Sequence, residues 1–428
     1  MLIVTLGCKA NQYDSEVIAR ALREAGYHLA QPGERVDAAV VNTCTVTQVA
    51  DAKGRKLIRR IITDNPRAKV VVTGCYAHLA GDEIARIPGV AAVVPNDEKP
   101  SIPDLIRRLV PPARAPGRIG PAPLPAEPKA RALLKIQDGC DHYCTYCAVP
   151  FARGPLASLR PTEVLDEMHR LAADGVGEIV LTGIRLGAYG RDLSGSTSLT
   201  AGGASLADLL RATREVPVPR VRLSSIEPWD ITPQLIAAVA ETPAVCPHLH
   251  LPLQSGDDGV LQAMGRPYTA DDFRRLARDV RAAIPELALT TDAMVGFPGE
   301  SDEAFERTRA LAREIGFSRL HVFKYSPRPG TAAADMRGQI PEPVKAARSD
   351  RLLAVGEELF RGFAGGFVGG EAEVLFETCD PKTGLCDGLT PHYLRVVAPG
   401  DGVAGQIRTV RVEGVERDHV RGLLPRAD

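Results

Sequence analysis

The chain has 428 residues, enough for two to four domains at about 150 residues each. With 44% apolar and 25% charged residues it has the composition of a folded globular protein, which excludes a disordered chain. A net charge of −1 excludes a global electrostatic pull on nucleic acid, so any phosphate contact must come from local patches.

Residues 1–110 alternate short β-branched runs with helical spacing. Leu2 to Leu6, Ala38 to Val41, Lys69 to Thr73 and Ala91 to Val94 read as buried parallel strands, and Gln12 to Ala25 and Val49 to Ile62 as helices. An open parallel α/β domain is expected. Met1 to Cys8 carries no basic leader and no stretch is long enough to span a bilayer, so no signal peptide, no membrane and a cytoplasmic location are expected. In a reducing compartment the nine cysteines are then expected as metal ligands or buried thiols rather than disulfides.

Three of these cysteines fall at equivalent places. Cys8 follows the first strand, Cys44 ends Val40-Val41-Asn42-Thr43-Cys44, and Cys75 ends Val71-Val72-Thr73-Gly74-Cys75. The carboxyl ends of parallel strands share one edge, where ligands bind, so thiols far apart in sequence can meet there. Each alone could be a small core residue. Together they predict a three-cysteine cluster site with one iron open to an exogenous sulfur species. The helix after Cys44 carries Lys53, Lys56 and Arg60 at i, i+3 and i+7, a face for phosphates or simply for solvent.

Residues 111–128 are rich in Pro and Ala and read as a semi-rigid linker. From 129 to 365, six strand-and-helix repeats predict a partial (βα)6 barrel with its functional groups at the strand ends. Just after its first strand comes Cys140-Asp141-His142-Tyr143-Cys144-Thr145-Tyr146-Cys147. A zinc site would want a fourth ligand, and His142 lies inside the short loop where it would be strained. Three buried thiols are the plainer alternative. Iron-sulfur runs normally supply four cysteines; three leave one iron of a 4Fe-4S cube open to a small molecule with oxygen or nitrogen donors. Thr182 and Gly183, Ser225 and Glu227, and Gln254 stand at successive strand ends, where Gly lets a ligand approach and the polar groups supply directional hydrogen bonds.

Residues 366–428 read as short strands with Gly turns, a small antiparallel β-barrel. Residues 371–428 hold seven Arg or Lys against ten Asp or Glu, which argues against strong nonspecific RNA binding by this module. Cys246, Cys379 and Cys386 are expected to be structural.

Several stretches resemble the methylthiotransferases, radical S-adenosylmethionine (SAM) enzymes with an N-terminal cluster domain, a central barrel and a C-terminal TRAM domain. They are Thr5-Leu6-Gly7-Cys8-Lys9-Ala10-Asn11-Gln12-Tyr13, Cys140 to Gly154 (CDHYCTYCAVPFARG), Leu181 to Gly190, Leu223 to Pro228 (LSSIEP) and Phe323 to Thr331 (FKYSPRPGT). They look most like the MtaB branch, which modifies N6-threonylcarbamoyladenosine at tRNA position 37. Lys9-Ala10-Asn11 departs by one residue from the Lys-Val-Asn of that branch. It fits neither the Gln-Met-Asn of the isopentenyladenosine branch nor the Pro-Lys-Asn of the branch acting on a ribosomal-protein aspartate.

The resemblance implies two 4Fe-4S clusters, one on Cys8, Cys44 and Cys75 and one on Cys140, Cys144 and Cys147, the latter binding SAM. It also implies Tyr146 near the SAM adenine and a low-potential donor such as flavodoxin or ferredoxin. The cofactor carries the hard step, so no catalytic acid or base is expected. The alternatives are a methylthiotransferase on isopentenyladenosine or on a protein aspartate, and a noncatalytic iron-sulfur RNA-binding or electron-carrying protein.

Overall fold

The computed structural model describes residues 1–31, 33–112, 130–193 and 204–425. From residue 113 onward the expected linker lies outside the described residues. The chain divides into two compact units. The first gathers the described residues of Met1–Leu124 with Asp138–Pro155 and Ser326–Ala334; the second gathers those of Pro125–Gln137, Leu156–Tyr325 and Asp335–Asp428.

The first unit is built on β1 (Leu2–Thr5), β2 (Ala38–Thr43), β3 (Lys69–Gly74) and β4 (Val90–Val93), paired in that order and all parallel. Every residue of β2 is buried. Its side chains alternate between two cores. Val41 and Val72 pack with Ile58, Ile61 and Ile84 on one face, and Val40 and Val71 with Ile18, Leu22, Ile102 and Ile106 on the other. A strand covered on both faces can be apolar at every position, which is why its run is continuous. The helix Lys9–Glu24 begins directly after Cys8, and Gln48–Asp64 begins after Thr47, whose hydroxyl caps the Ala50 amide at 3.1 Å.

The second unit contains β5 (Arg131–Lys135), β6 (Glu178–Thr182) and β7 (Arg220–Leu223) in one parallel sheet. A second parallel sheet holds β8 (His248–His250), β9 (Ala288–Val295) and β10 (Arg319–Lys324). Bridges from Val221 to Val245 and from Ser225 to His250 join the two, so six parallel strands run side by side in chain order. Four of the surrounding helices start on Ser205, Thr232, Thr269 or Ser301, each accepting the amide three residues on, which fixes where each strand-to-helix loop ends.

The helix Glu342–Gly365 leads to a closed five-stranded barrel of β11 (Glu371–Asp380), β12 (Leu385–Leu389), β13 (Arg395–Pro399), β14 (Ile407–Val415) and β15 (Val420–Leu423). Phe360 and Ala364 of that helix enter the barrel core beside Phe376, Val396 and Val410. Four of its pairings are antiparallel; β13 with β15 is parallel. Cys379 and Cys386 form a disulfide, which corrects the expectation of reduced thiols. The cause is register: the two residues face each other across β11 and β12 with Cα atoms 4.0 Å apart.

Buried charge locks this small barrel to the six-stranded one. Arg222 Nη2 donates to Glu178 Oε2 at 2.8 Å and also to the Thr390 carbonyl, while its Nη1 reaches the Pro391 carbonyl. Arg131 bonds Glu178 at 2.7 Å and Glu377 at 2.8 Å, and Arg220 donates to the carbonyls of Leu389 and Glu373. Tyr393 lies against the guanidinium of Arg222 and stacks on His248. Burial alone would raise the Glu178 carboxyl, but hydrogen bonds and charge from Arg222, with the charges of Arg131 and Arg220, hold it below the usual carboxylate range.

A carboxylate depressed in this way contributes stability above its unfolded value, near 4.3, and loses that contribution as pH falls through the folded value. At neutral pH the full contribution is present. Glu178→Ala leaves three arginines facing an empty site, so it should cost about 3–5 kcal/mol in urea denaturation at pH 7. The deficit should shrink in acid, where the native protein loses the same interaction.

Candidate metal centres

The three strand-end cysteines converge in the first unit. Cys8 stands at the N-cap of Lys9–Glu24, Cys44 directly follows β2, and Cys75 opens the short helix Cys75–Leu79. Gly7, at φ +109°, approaches Cys44 so closely that an added Cβ would lie 2.7 Å from the Cys44 Cβ and 2.9 Å from its sulfur. Burial pushes the Cys44 thiol up to about 11, and the charges of Cys75 and Cys8 push the same way. A thiolate there needs a nearby cation or metal to be stable at neutral pH.

Beneath these thiols lies a buried polar layer supplied by the first helix. Asn11 donates to the carbonyls of Leu6 and Thr43 at 2.8 and 3.0 Å, and Asn42 donates back to the Asn11 carbonyl at 2.9 Å. Asp14 accepts from Lys99 Nζ at 2.6 Å. Polar residues on the buried face of an amphipathic helix are expensive unless paired, and these are.

The Cys140–Cys147 run belongs to this same unit. The Cys140 amide donates to the Gly154 carbonyl at 3.0 Å, and the Cys147 amide to the Cys144 carbonyl at 3.0 Å, so the run is a tight turn closed at its base. Gly139, at φ +71°, sits where a Cβ would lie 1.7 Å from the Pro155 carbonyl oxygen. The Ala333 amide, from the segment Ser326–Ala334, donates to the Thr145 carbonyl at 2.8 Å. Tyr146 is half-buried, whereas Tyr143 is exposed and its ring lies 5.5 Å from that of Phe151.

Among the described residues no three His, Cys, Asp or Glu side chains are close enough to hold a single metal ion. A 4Fe-4S cube makes a different demand, because each thiolate ligates its own iron and the sulfurs stand further apart. Two sets of three soft donors, with no hard carboxylate among them, fit that group.

In the second unit the polar strand ends occupy one rim. Thr182 ends β6 and is buried; Gly183 follows it, and a Cβ there would lie 2.9 Å from Gln137 Oε1. Ser225 is exposed two residues beyond β7. Glu227 accepts from Arg266 Nη1 at 2.7 Å, and that guanidinium lies 5.1 Å from the Trp229 ring. Gln254 has φ 61°, the left-handed region that non-glycine residues rarely enter. Its amide donates to the Asp292 carbonyl at 2.9 Å and its carbonyl accepts from the Met294 amide at 2.8 Å. Neighbouring structure holds a strained residue on the rim, as at ligand-clamping positions.

Lys53, Lys56 and Arg60 are all exposed on Gln48–Asp64, with Arg60 3.5 Å from Asp64. Arg55, between them, turns away and donates to the Tyr76 hydroxyl at 2.6 Å.

Three features escaped the sequence. Within the barrel, His250 lies 3.3 Å from Asp292 and 2.9 Å from the Thr290 hydroxyl, with His321 5.8 Å away ring to ring; strand alternation could have grouped them. Arg328 of Ser326–Ala334 is buried, donates to Asp51 at 2.7 Å and bonds the hydroxyl of Thr45, next to Cys44. Arg153, nine-tenths hidden or more, reaches Cys75 itself. Neither arginine stands out among 52 basic residues.

Six parallel strands in one unit and a three-cysteine turn in the other are the parts of a radical SAM protein, and the comparisons agree. Residues 134–312 match the radical SAM superfamily and residues 1–95 match uncharacterized protein family UPF0004. The fold resembles the radical SAM methyltransferase TsrM from Kitasatospora setae, with a TM-score of 0.57 at 17% identity over 78% of this chain and 76% of that one.

Sequence relatives narrow this further. The threonylcarbamoyladenosine tRNA methylthiotransferases MtaB of Thermotoga maritima and of Bacillus subtilis are each 39% identical, over 98% and 95% of this chain and 95% and 92% of theirs. A tRNA-2-methylthio-N(6)-dimethylallyladenosine synthase from Erythrobacter litoralis is 38% identical over 97% of this chain and 94% of its own. The chain belongs to the radical SAM methylthiotransferase family, and SAM and 4Fe-4S clusters are that family's cofactors.

Gly139→Ala should displace the base of the Cys140 turn. Iron in anaerobically prepared protein should fall from about eight toward about four per chain with an unchanged far-ultraviolet circular dichroism spectrum. Full iron in this variant would show that the turn tolerates the added Cβ.

Proposed function

We propose that this chain adds a methylthio group to C2 of N6-threonylcarbamoyladenosine at position 37 of tRNA. The observation that carries the reading is the near-full-length relationship to two proteins named for that activity, combined with two three-cysteine sets in one compact unit.

In this reading Cys8, Cys44 and Cys75 hold one cluster and Cys140, Cys144 and Cys147 the other. Bound there, the clusters supply a low-potential electron for cleaving SAM and an iron site for the sulfur to be transferred. The protein's own residues bind and orient. Thr182, Gly183, Ser225, Glu227 and Gln254 form the SAM rim, with Arg266 fixing the Glu227 carboxylate, and Tyr146 packs against the adenine. No side chain is assigned as general acid or base, because an aromatic C–H offers no acidic proton for one to take. Lys53, Lys56 and Arg60 meet tRNA phosphates, electrons come from a flavodoxin or ferredoxin, and the enzyme works in the cytoplasm.

Isopentenyladenosine is the second reading, since the Erythrobacter relative is almost as similar. The Lys9-Ala10-Asn11 segment favours the first. Incubation with SAM, reductant and tRNA, followed by nucleoside mass spectrometry, should yield methylthiolated threonylcarbamoyladenosine. Product only from isopentenyladenosine tRNA would reassign the substrate.

Replacing Lys53, Lys56 and Arg60 with Ala should weaken binding evenly across tRNAs and lower the slope of log affinity against log salt by about two to three. Unchanged affinity and slope would return this face to the solvent.

A further inference from the structure

The buried side chain of Arg153 bonds four other residues at once. It leaves the short helix Val149–Arg153 and is 1% exposed. Nε donates to Cys75 Sγ at 3.3 Å, Nη1 donates to Asp14 Oδ2 at 3.1 Å and Asp138 Oδ2 at 3.0 Å, and Nη2 bonds Asn11 Oδ1. All of these residues belong to the first unit. One planar guanidinium therefore links the thiol that follows β3, two residues of the first helix, and the residue two before Cys140.

We propose that Arg153 sets the reduction potential of the cluster on Cys8, Cys44 and Cys75 through its Nε–H to sulfur hydrogen bond at Cys75. The inference rests on the assignment of those cysteines as ligands. An N–H donated to a ligating thiolate draws electron density from the sulfur and favours the reduced, more negative cluster, so hydrogen bonds to the sulfurs are among the levers that fix cluster potentials.

The two carboxylates hold the fork by its other edge and aim Nε at the sulfur, which a lysine cannot reproduce: its ammonium is a single point of charge on a flexible stem. Lys99 shares Asp14, so the layer carries two cations against two carboxylates. Removing the guanidinium would strip the hydrogen bond and leave the anions in excess beside the cluster. Both effects drive the potential the same way.

The test uses full-length protein carrying Cys140→Ala, Cys144→Ala and Cys147→Ala, so that one cluster remains, with Arg153, Arg153→Lys or Arg153→Met. Redox titration followed by electron paramagnetic resonance gives the midpoint potential, and iron is counted in each sample. The expected result is about four irons throughout, with a midpoint more negative in Arg153→Lys and more negative again in Arg153→Met. If the methionine variant loses its iron, Arg153→Lys decides alone.

Equal midpoints at equal iron content would overturn the proposal while leaving the ligand assignment standing. Absence of iron from the Arg153 parent would overturn the ligand assignment, and the proposal with it.

Discussion

A parallel sheet delivers the carboxyl ends of all its strands to one edge, and the N-terminal unit depends on that constraint. Cys8, Cys44 and Cys75 are far apart in sequence, yet each stands where a strand of the four-stranded sheet gives way to the next segment. The Val-rich strands β2 and β3, buried on both faces, form the centre of that sheet. Gly7 then brings the Cys8 turn within contact of Cys44. Three thiols are thus placed by backbone topology, with no local motif required.

The Cys140–Cys147 turn achieves the same end by the opposite means, three thiols within eight residues on a loop closed by backbone hydrogen bonds. It packs with the N-terminal sheet, as does Ser326–Ala334, which touches both the Thr145 carbonyl and, through Arg328, the residues after Cys44. Arg153 completes this arrangement from the Cys140 side. A division of labour follows: one unit carries the thiols, and the other carries the polar rim and the C-terminal barrel. The buried pairing of Glu178 with Arg222 and Arg131 makes that barrel a fixed part of its unit despite its acidic surface.

Much of this was legible in the residues. Apolar β-branched runs marked the parallel strands of the N-terminal sheet, and helical spacing of apolar residues marked the helices Lys9–Glu24 and Gln48–Asp64 to within a few residues. Both sets of cysteines were picked out by position and spacing, and the fold places both in the first unit. What was not legible depended on tertiary closure. Leu385–Leu389 contains Gly, Asp and Cys and has little strand preference of its own; it becomes a strand because β11 and β13 pair with it. The Cys379–Cys386 disulfide needed that register, and the compositional argument about a reducing compartment pointed the other way. The roles of Arg153 and Arg328 were hidden because a buried arginine and a solvated one look alike until their partners are placed. Gln254 was picked out as a polar group, but its left-handed backbone comes from the neighbouring β9.

The central claim is that the chain carries two separate three-thiolate iron-sulfur sites. It is tested most directly by Mössbauer spectroscopy and iron analysis of anaerobically prepared protein in three forms: unaltered, lacking Cys8, Cys44 and Cys75, and lacking Cys140, Cys144 and Cys147. The account predicts about eight irons in the first and about four in each of the others, all in 4Fe-4S clusters. About four irons in the unaltered protein, undiminished when Cys8, Cys44 and Cys75 are replaced, would contradict it.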